Sequence, residues 1–119
     1  MSKHCILIGA PVDSGQKRAG CLMGPSAYRV AGLGPSLAEL GHRVEDRGDV
    51  HPLPLRPVVP ANPIVHSLPE TVAWTEALAA AAEAAMAEGF PVFMGGDHSL
   101  SLGTVAGVAA HAARVGRPL

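Results

Sequence analysis

Apolar positions along the chain form two kinds of pattern, and the two alternate. Residues 5–9 (Cys-Ile-Leu-Ile-Gly) and 91–94 (Pro-Val-Phe-Met) are unbroken apolar runs. A strand covered on both faces, as in a parallel sheet, reads this way. A helix is expected from Pro25, because proline suits the first helical position. Ala27, Val30, Ala31 and Gly34 then recur at three and four residues and mark its packed face. The dipeptide Gly34-Pro35 is expected to break this helix, with a restart through residues 37–40 and a stop at Gly41. Residues 42–50 are charged and predict a short second strand near 43–46, at a sheet edge, with Gly48-Asp49 in the turn after it.

Pro52, Pro54, Pro57, Pro60, Pro63 and Pro69 predict an extended connection, since proline denies both helix and central strand. Residues 70–88 carry the strongest helical pattern, rich in alanine, with Val72, Thr75, Ala79, Ala82 and Met86 on one face and Glu76 and Glu83 on the solvated side. A last helix is expected over 100–114, where Gly103, Gly107 and Ala110 give a small-residue face able to approach a sheet closely. The order strand, helix, strand, helix, strand, helix implies a parallel, three-layer α/β/α fold with right-handed crossovers. Three strands make a poor sheet, and the last helix would normally lead to a further strand. Residues 1–119 are therefore expected to be the first part of a single larger domain, truncated after about three strands and marginally stable.

Composition narrows the classes. The net charge is −1 and 16% of residues are charged, which gives no bias toward nucleic acid or membrane. Aromatics are only 3%, so no stacking platform for bases exists. Cys5 lies in an apolar run and Cys21 in a glycine-rich loop, with no Cys-x-x-Cys spacing. Neither a zinc knuckle nor a disulfide framework is indicated, and a reducing cytoplasm is the default setting. The apolar run near the amino terminus is too short for a signal peptide or a membrane span.

The chemistry concentrates in Gly95-Gly96-Asp97-His98-Ser99, which follows the third strand and precedes the last helix. Ligands of parallel α/β folds bind at the carboxyl ends of strands. His98 can ligate a metal through a neutral ring nitrogen. Asp97 can ligate too, or fix a neighbour by accepting a hydrogen bond. The plainer alternative has Asp97 capping the next helix and His98 partly exposed. A metal centre needs at least three protein ligands in most cases, and this stretch offers one or two. Residues 9–24 form a long polar loop, neither a dinucleotide fingerprint nor a Walker loop. Within it Arg18 is a candidate partner for a carboxylate. Asp49 can face the same crevice, although solvation is the simpler reading. His51 and His66 lack ligand partners at a recognisable spacing and read as surface residues.

Four features taken in order make the chain resemble the amino-terminal part of the arginase (ureohydrolase) family. They are Ile8-Gly9-Ala10-Pro11, the loop Gly15-Gln16-Lys17-Arg18-Ala19-Gly20 with Gly24-Pro25 and Arg29, then Gly48-Asp49, and Gly95-Gly96-Asp97-His98-Ser99. The resemblance implies a three-layer α/β/α fold with a pair of manganese ions at the strand ends. It implies hydrolysis of L-arginine to ornithine and urea by a metal-bridging hydroxide. His98 would be a terminal manganese ligand, Asp97 and Ser99 would orient it, and Arg18 would lie near the mouth of the site. No catalytic residue of the family falls within this chain. The family's Asp-x-His-x-Asp and Asp-x-Asp motifs, which supply the other metal ligands, are absent. The full-length parent would be a cytoplasmic homo-oligomer, a trimer or hexamer, acting on a small guanidino substrate.

Three functions are compatible with these residues. One is an amino-terminal fragment of a manganese-dependent arginase, inactive alone. The second is a non-catalytic remnant or split-protein half that binds a partner chain through its unpaired sheet edge. The third is a related ureohydrolase such as an agmatinase.

Overall fold

The computed structural model describes all of residues 1–119. Three parallel strands, β1 (His4–Ala10), β2 (Arg43–Asp49) and β3 (Phe90–Gly95), form one sheet in the order β2-β1-β3. β1 is central and buried from Cys5 to Ala10, as its unbroken apolar run requires. Its side chains alternate between two covered faces. Ile6 and Ile8 pack with Ala85 and Phe93 on one side. On the other, Leu7 and Val44 lie under Gly34. The helices are α1 (Gly24–Val30), α2 (Leu33–Glu39), α3 (Leu68–Glu88) and α4 (Ser101–Arg114). α2 covers the Leu7 face and α3 the Ile6 face, so the three layers expected from the alternation are present.

The details differ from expectation in four places. The first helical segment breaks at Gly32, whose φ is +88°, and not at Gly34-Pro35. Pro35 sits in the first turn of α2, where a missing N–H breaks no helical bond. β2 runs on through Gly48 and Asp49, which the sequence placed in a turn. α3 starts at Leu68, and its buried residues are Ala73, Leu78, Ala82 and Ala85. The expected stripe shares only Ala82 with this set, because α3 packs on two surfaces, the sheet and α4. Finally, the small face of α4 meets α3 and not the sheet. A Cβ on Gly103 would lie 2.5 Å from the Thr75 carbonyl, and one on Gly107 would lie 2.3 Å from the Ala79 carbonyl. Ala110 is exposed and takes no part.

Residues 51–67 are an extended connection without helix or strand, as the prolines dictate. Arg56 on it pairs with Glu76 of α3. No helix is long and apolar enough to cross a membrane. The radius of gyration is 15.2 Å. A compact domain of this length would measure about 13.5 Å, and only 19 of the 119 residues are buried. Val30, Phe90, Leu102 and Val105 are among the large apolar side chains left exposed.

Candidate functional site

The carboxyl ends of β1 and β3 are neighbours, and the chain turns sharply at both. After β1, the Val12 N–H donates back to the Ala10 carbonyl at 2.8 Å. After β3, the Gly96 N–H donates to the same Ala10 carbonyl at 3.0 Å, and the Asp97 N–H donates to the Val12 carbonyl at 2.8 Å. These bonds press the two turns together. A Cβ on Gly96 would stand 2.1 Å from the Val12 carbonyl oxygen, so only glycine allows this approach.

Asp97 closes the junction. It is 6% exposed. Its Oδ2 accepts from the Gly15 N–H at 2.9 Å and the Gln16 N–H at 3.0 Å. Its Oδ1 accepts from the Ser99 N–H at 3.0 Å and from the Ser99 hydroxyl. Burial alone would raise this carboxyl. The bonds from the Ser99 hydroxyl and from the Gln16, Ser99 and Gly15 amides outweigh it and hold the group below the ordinary aspartate range. Asp97 therefore does cap the short 3-10 turn His98–Leu100, and it also ties that turn to the polar loop after β1.

His98 begins the 3-10 turn with its side chain exposed. Its carbonyl accepts from the Ser101 hydroxyl at 2.9 Å. Its ring makes no hydrogen bond, so both nitrogens are available. Asp97 and Ser99 bond each other and the loop, and act on His98 only through the backbone between them. Arg18 is exposed, and no carboxylate pairs with it. Loop and turn come together, while Arg18 has no partner within the chain.

Charge pairing concentrates elsewhere at this end of the sheet. Arg29 of α1 donates from Nε and Nη2 to Asp46 at 2.8 and 2.9 Å, and from Nη1 to Asp49 at 2.7 Å. Bonds to Asp46 first, then Asp49, raise the guanidinium above its ordinary value. Asp49 is thus an ion-pair partner that stays exposed to solvent. Two aspartates near the end of one strand are the only local sign of this pairing, which depends on where the fold places Arg29 at the end of α1.

No cluster of three or more His, Cys, Asp or Glu side chains suited to a metal ion occurs in the chain. His98 is a lone donor here.

A family model described as the arginase family matches residues 3–118. The chain belongs to the arginase family. Among curated arginases, that of Brucella melitensis is 48% identical over 114 residues, which are 96% of this chain and 37% of the relative. That of Agrobacterium fabrum is 47% identical over 116 residues, 97% of this chain and 36% of the relative. The crystal structure of the Bacillus subtilis arginase superposes with a TM-score of 0.75 at 41% identity, covering 92% of this chain and 35% of that one. The α/β fold is therefore the arginase fold, and the chain spans just over a third of the length of these arginases.

Proposed function

We propose that the chain forms the amino-terminal third of an arginase active site and carries one manganese ligand, His98. The observation that supports this reading most is the presentation of His98. An imidazole with both nitrogens free stands at the carboxyl end of β3, on a turn that Asp97 and Ser99 hold rigid. Ligating histidines are held in orientation by the groups around them. Asp97 and Ser99 supply it through the backbone, and the loop bearing Arg18 is held beside it at the mouth of the site.

The substrate of the whole enzyme is L-arginine, and the products are ornithine and urea. A guanidinium is a resonance-stabilised cation and a poor electrophile, so water must be ionised before it attacks. Nothing in this chain can do that. One imidazole does not hold two manganese ions, and no general base is set beside it. The chain alone is inactive, and the remaining ligands belong to the two-thirds of the domain beyond it. The reading carries with it a cytoplasmic setting and a trimeric or hexameric whole enzyme.

Two assays test this. The purified chain with manganese should release no urea from L-arginine above the protein-free rate, and urea release would overturn the inactivity. A chimera with residues 1–119 in place of the matching segment of the Brucella melitensis arginase should hydrolyse L-arginine. Its His98→Ala variant should lose manganese and activity together. Full manganese occupancy in that variant would overturn the role of His98.

A further inference from the structure

Lys17, one of two non-glycine residues at positive φ, lies beside the candidate site with a φ of +52°. The left-handed region is uncommon for a lysine. A residue held there costs free energy and persists only where its surroundings over-determine it. The surroundings do so here. Asp97 accepts from the Gly15 and Gln16 N–H groups at 2.9 and 3.0 Å, which fixes the two residues before Lys17. The Lys17 N–H donates to the Asp13 carbonyl at 2.6 Å and closes the turn. Ser14, within that turn, is buried.

The far end of the segment is fixed to the same place. A Cβ on Gly96 would lie 2.7 Å from the Cys21 carbonyl oxygen, and one on Gly24 would lie 1.8 Å from the Gly95 carbonyl oxygen. Residues 13–24 therefore form an arch with both feet on the Gly95-Gly96-Asp97 turn. Between the feet, Gln16, Lys17 and Arg18 are all exposed. Asp97 holds Gln16 by its backbone, so the Gln16 amide and the Arg18 guanidinium are left to meet a molecule that reaches His98. Asp97 bonds the arch and Ser99 and makes no bond to the His98 ring. The junction thus serves the arch and the metal-side histidine separately.

We infer, on the arginase reading of the site, that the left-handed Lys17 is a positioning residue. It aims the crown of the arch, Gln16 to Arg18, at the guanidino substrate, and it acts on substrate affinity and not on the metal. The constraint lies in the backbone, so the conformation of residue 17 matters and its ammonium does not.

The chain itself and the Brucella melitensis chimera carrying residues 1–119 test this separately. Glycine at a positive φ frees the crown without straining the fold. In the full chain, Lys17→Gly should leave the denaturation midpoint no lower than that of the wild type, while amide exchange at Gln16 and Arg18 quickens at least fivefold. In the chimera it should raise KM for L-arginine at least fivefold, with kcat and manganese occupancy within twofold. Asparagine tolerates this backbone, and Lys17→Asn should return KM to within twofold of the wild type. A KM unmoved by Lys17→Gly would overturn the inference. An equal rise with Lys17→Asn would also overturn it, because the ammonium would then be the contact. So would a loss of manganese with Lys17→Gly, because the arch would then serve the metal. A chimera inactive with Lys17 in place would count against the arginase reading alone. The exchange comparison would then decide by itself, and unchanged rates at Gln16 and Arg18 would overturn the role of Lys17.

Discussion

Arg29 and Asp46 form a fork-to-fork pair, Nε to Oδ2 and Nη2 to Oδ1, at 2.8 and 2.9 Å. The third guanidinium nitrogen reaches Asp49, so one side chain of α1 ties down the last turn of β2. The pair is partly exposed, and such pairs contribute about 1 kcal/mol or less unless bidentate geometry or a network helps. Arg29→Ala should lower stability by about 1 kcal/mol, and Arg29→Lys should recover little, since an ammonium cannot bond both carboxylates in plane. Urea denaturation of the three proteins checks this.

The same pair sets a pH dependence. The Arg29 bonds lower the Asp46 carboxyl below its ordinary value, helped by the Gly48 N–H and against the effect of burial. A depressed carboxyl contributes stability that is full above the unfolded aspartate range, near about 4, and is lost as pH falls through the folded value. The melting temperature should therefore fall more steeply below about pH 4 in the wild type than in Arg29→Ala. Parallel curves would show that the pair contributes nothing.

Asp97 joins residues more than eighty positions apart, and Asp97→Asn should uncouple them. An amide keeps one acceptor and turns a donor toward the Gly15 and Gln16 or the Ser99 amides. Hydrogen bonds to a charged group are worth about 1.5–3 kcal/mol each, and a loss of about 2–3 kcal/mol is expected. Amide exchange at Gly15, Gln16 and Ser99 should quicken, while exchange in the β1–β2 ladder stays in step with global stability. Unchanged exchange at Gly15 and Gln16 would mean that the loop is held by other bonds.

That junction also shows where sequence reading stops. β1, β3 and the Gly-Gly-Asp-His-Ser turn were legible because each is a local pattern: unbroken apolar runs, then glycines, then polar side chains. The cap of Asp97 on the turn after it was legible as one alternative, but its Gly15 and Gln16 partners were not, because backbone N–H groups carry no sequence signal. Gly34-Pro35 misled for a related reason. Proline is as compatible with a first helical turn as with a break, and only the +88° φ of Gly32 distinguishes the two. The small residues of α4 announced a close approach but could not name its partner, since a sheet and a helix backbone both accept a glycine face. Arg29 belongs to the motifs of the family resemblance, yet its pairing with Asp46 and Asp49 depends on where the fold places α1, which packs on β1 and β3.

Gly107 separates helix propensity from packing. Alanine favours a helix interior over glycine by about 1 kcal/mol. Its Cβ, however, would lie 2.3 Å from the Ala79 carbonyl and 2.6 Å from the Ala82 Cβ, and neither can swing away. Overpacking costs about 1–3 kcal/mol, so Gly107→Ala should be destabilising by about 1 kcal/mol net. Thermal melts give the sign, and a stabilised variant would mean that α4 shifts freely on α3.

His98 should behave as the opposite of Asp97. Its ring is exposed and bonds to nothing, so the fold gains nothing from the imidazole. Surface substitutions of this kind stay within about 0.5 kcal/mol, and His98→Ala should leave the denaturation curve unmoved. In the chimera with the Brucella melitensis arginase, the same substitution should remove activity without lowering the yield of folded protein. A loss of stability equal to that of Asp97→Asn would instead make His98 part of the scaffold. One member of the Asp97-His98 pair would then build the turn and the other would use it, or both would merely build it, and these two measurements tell the cases apart.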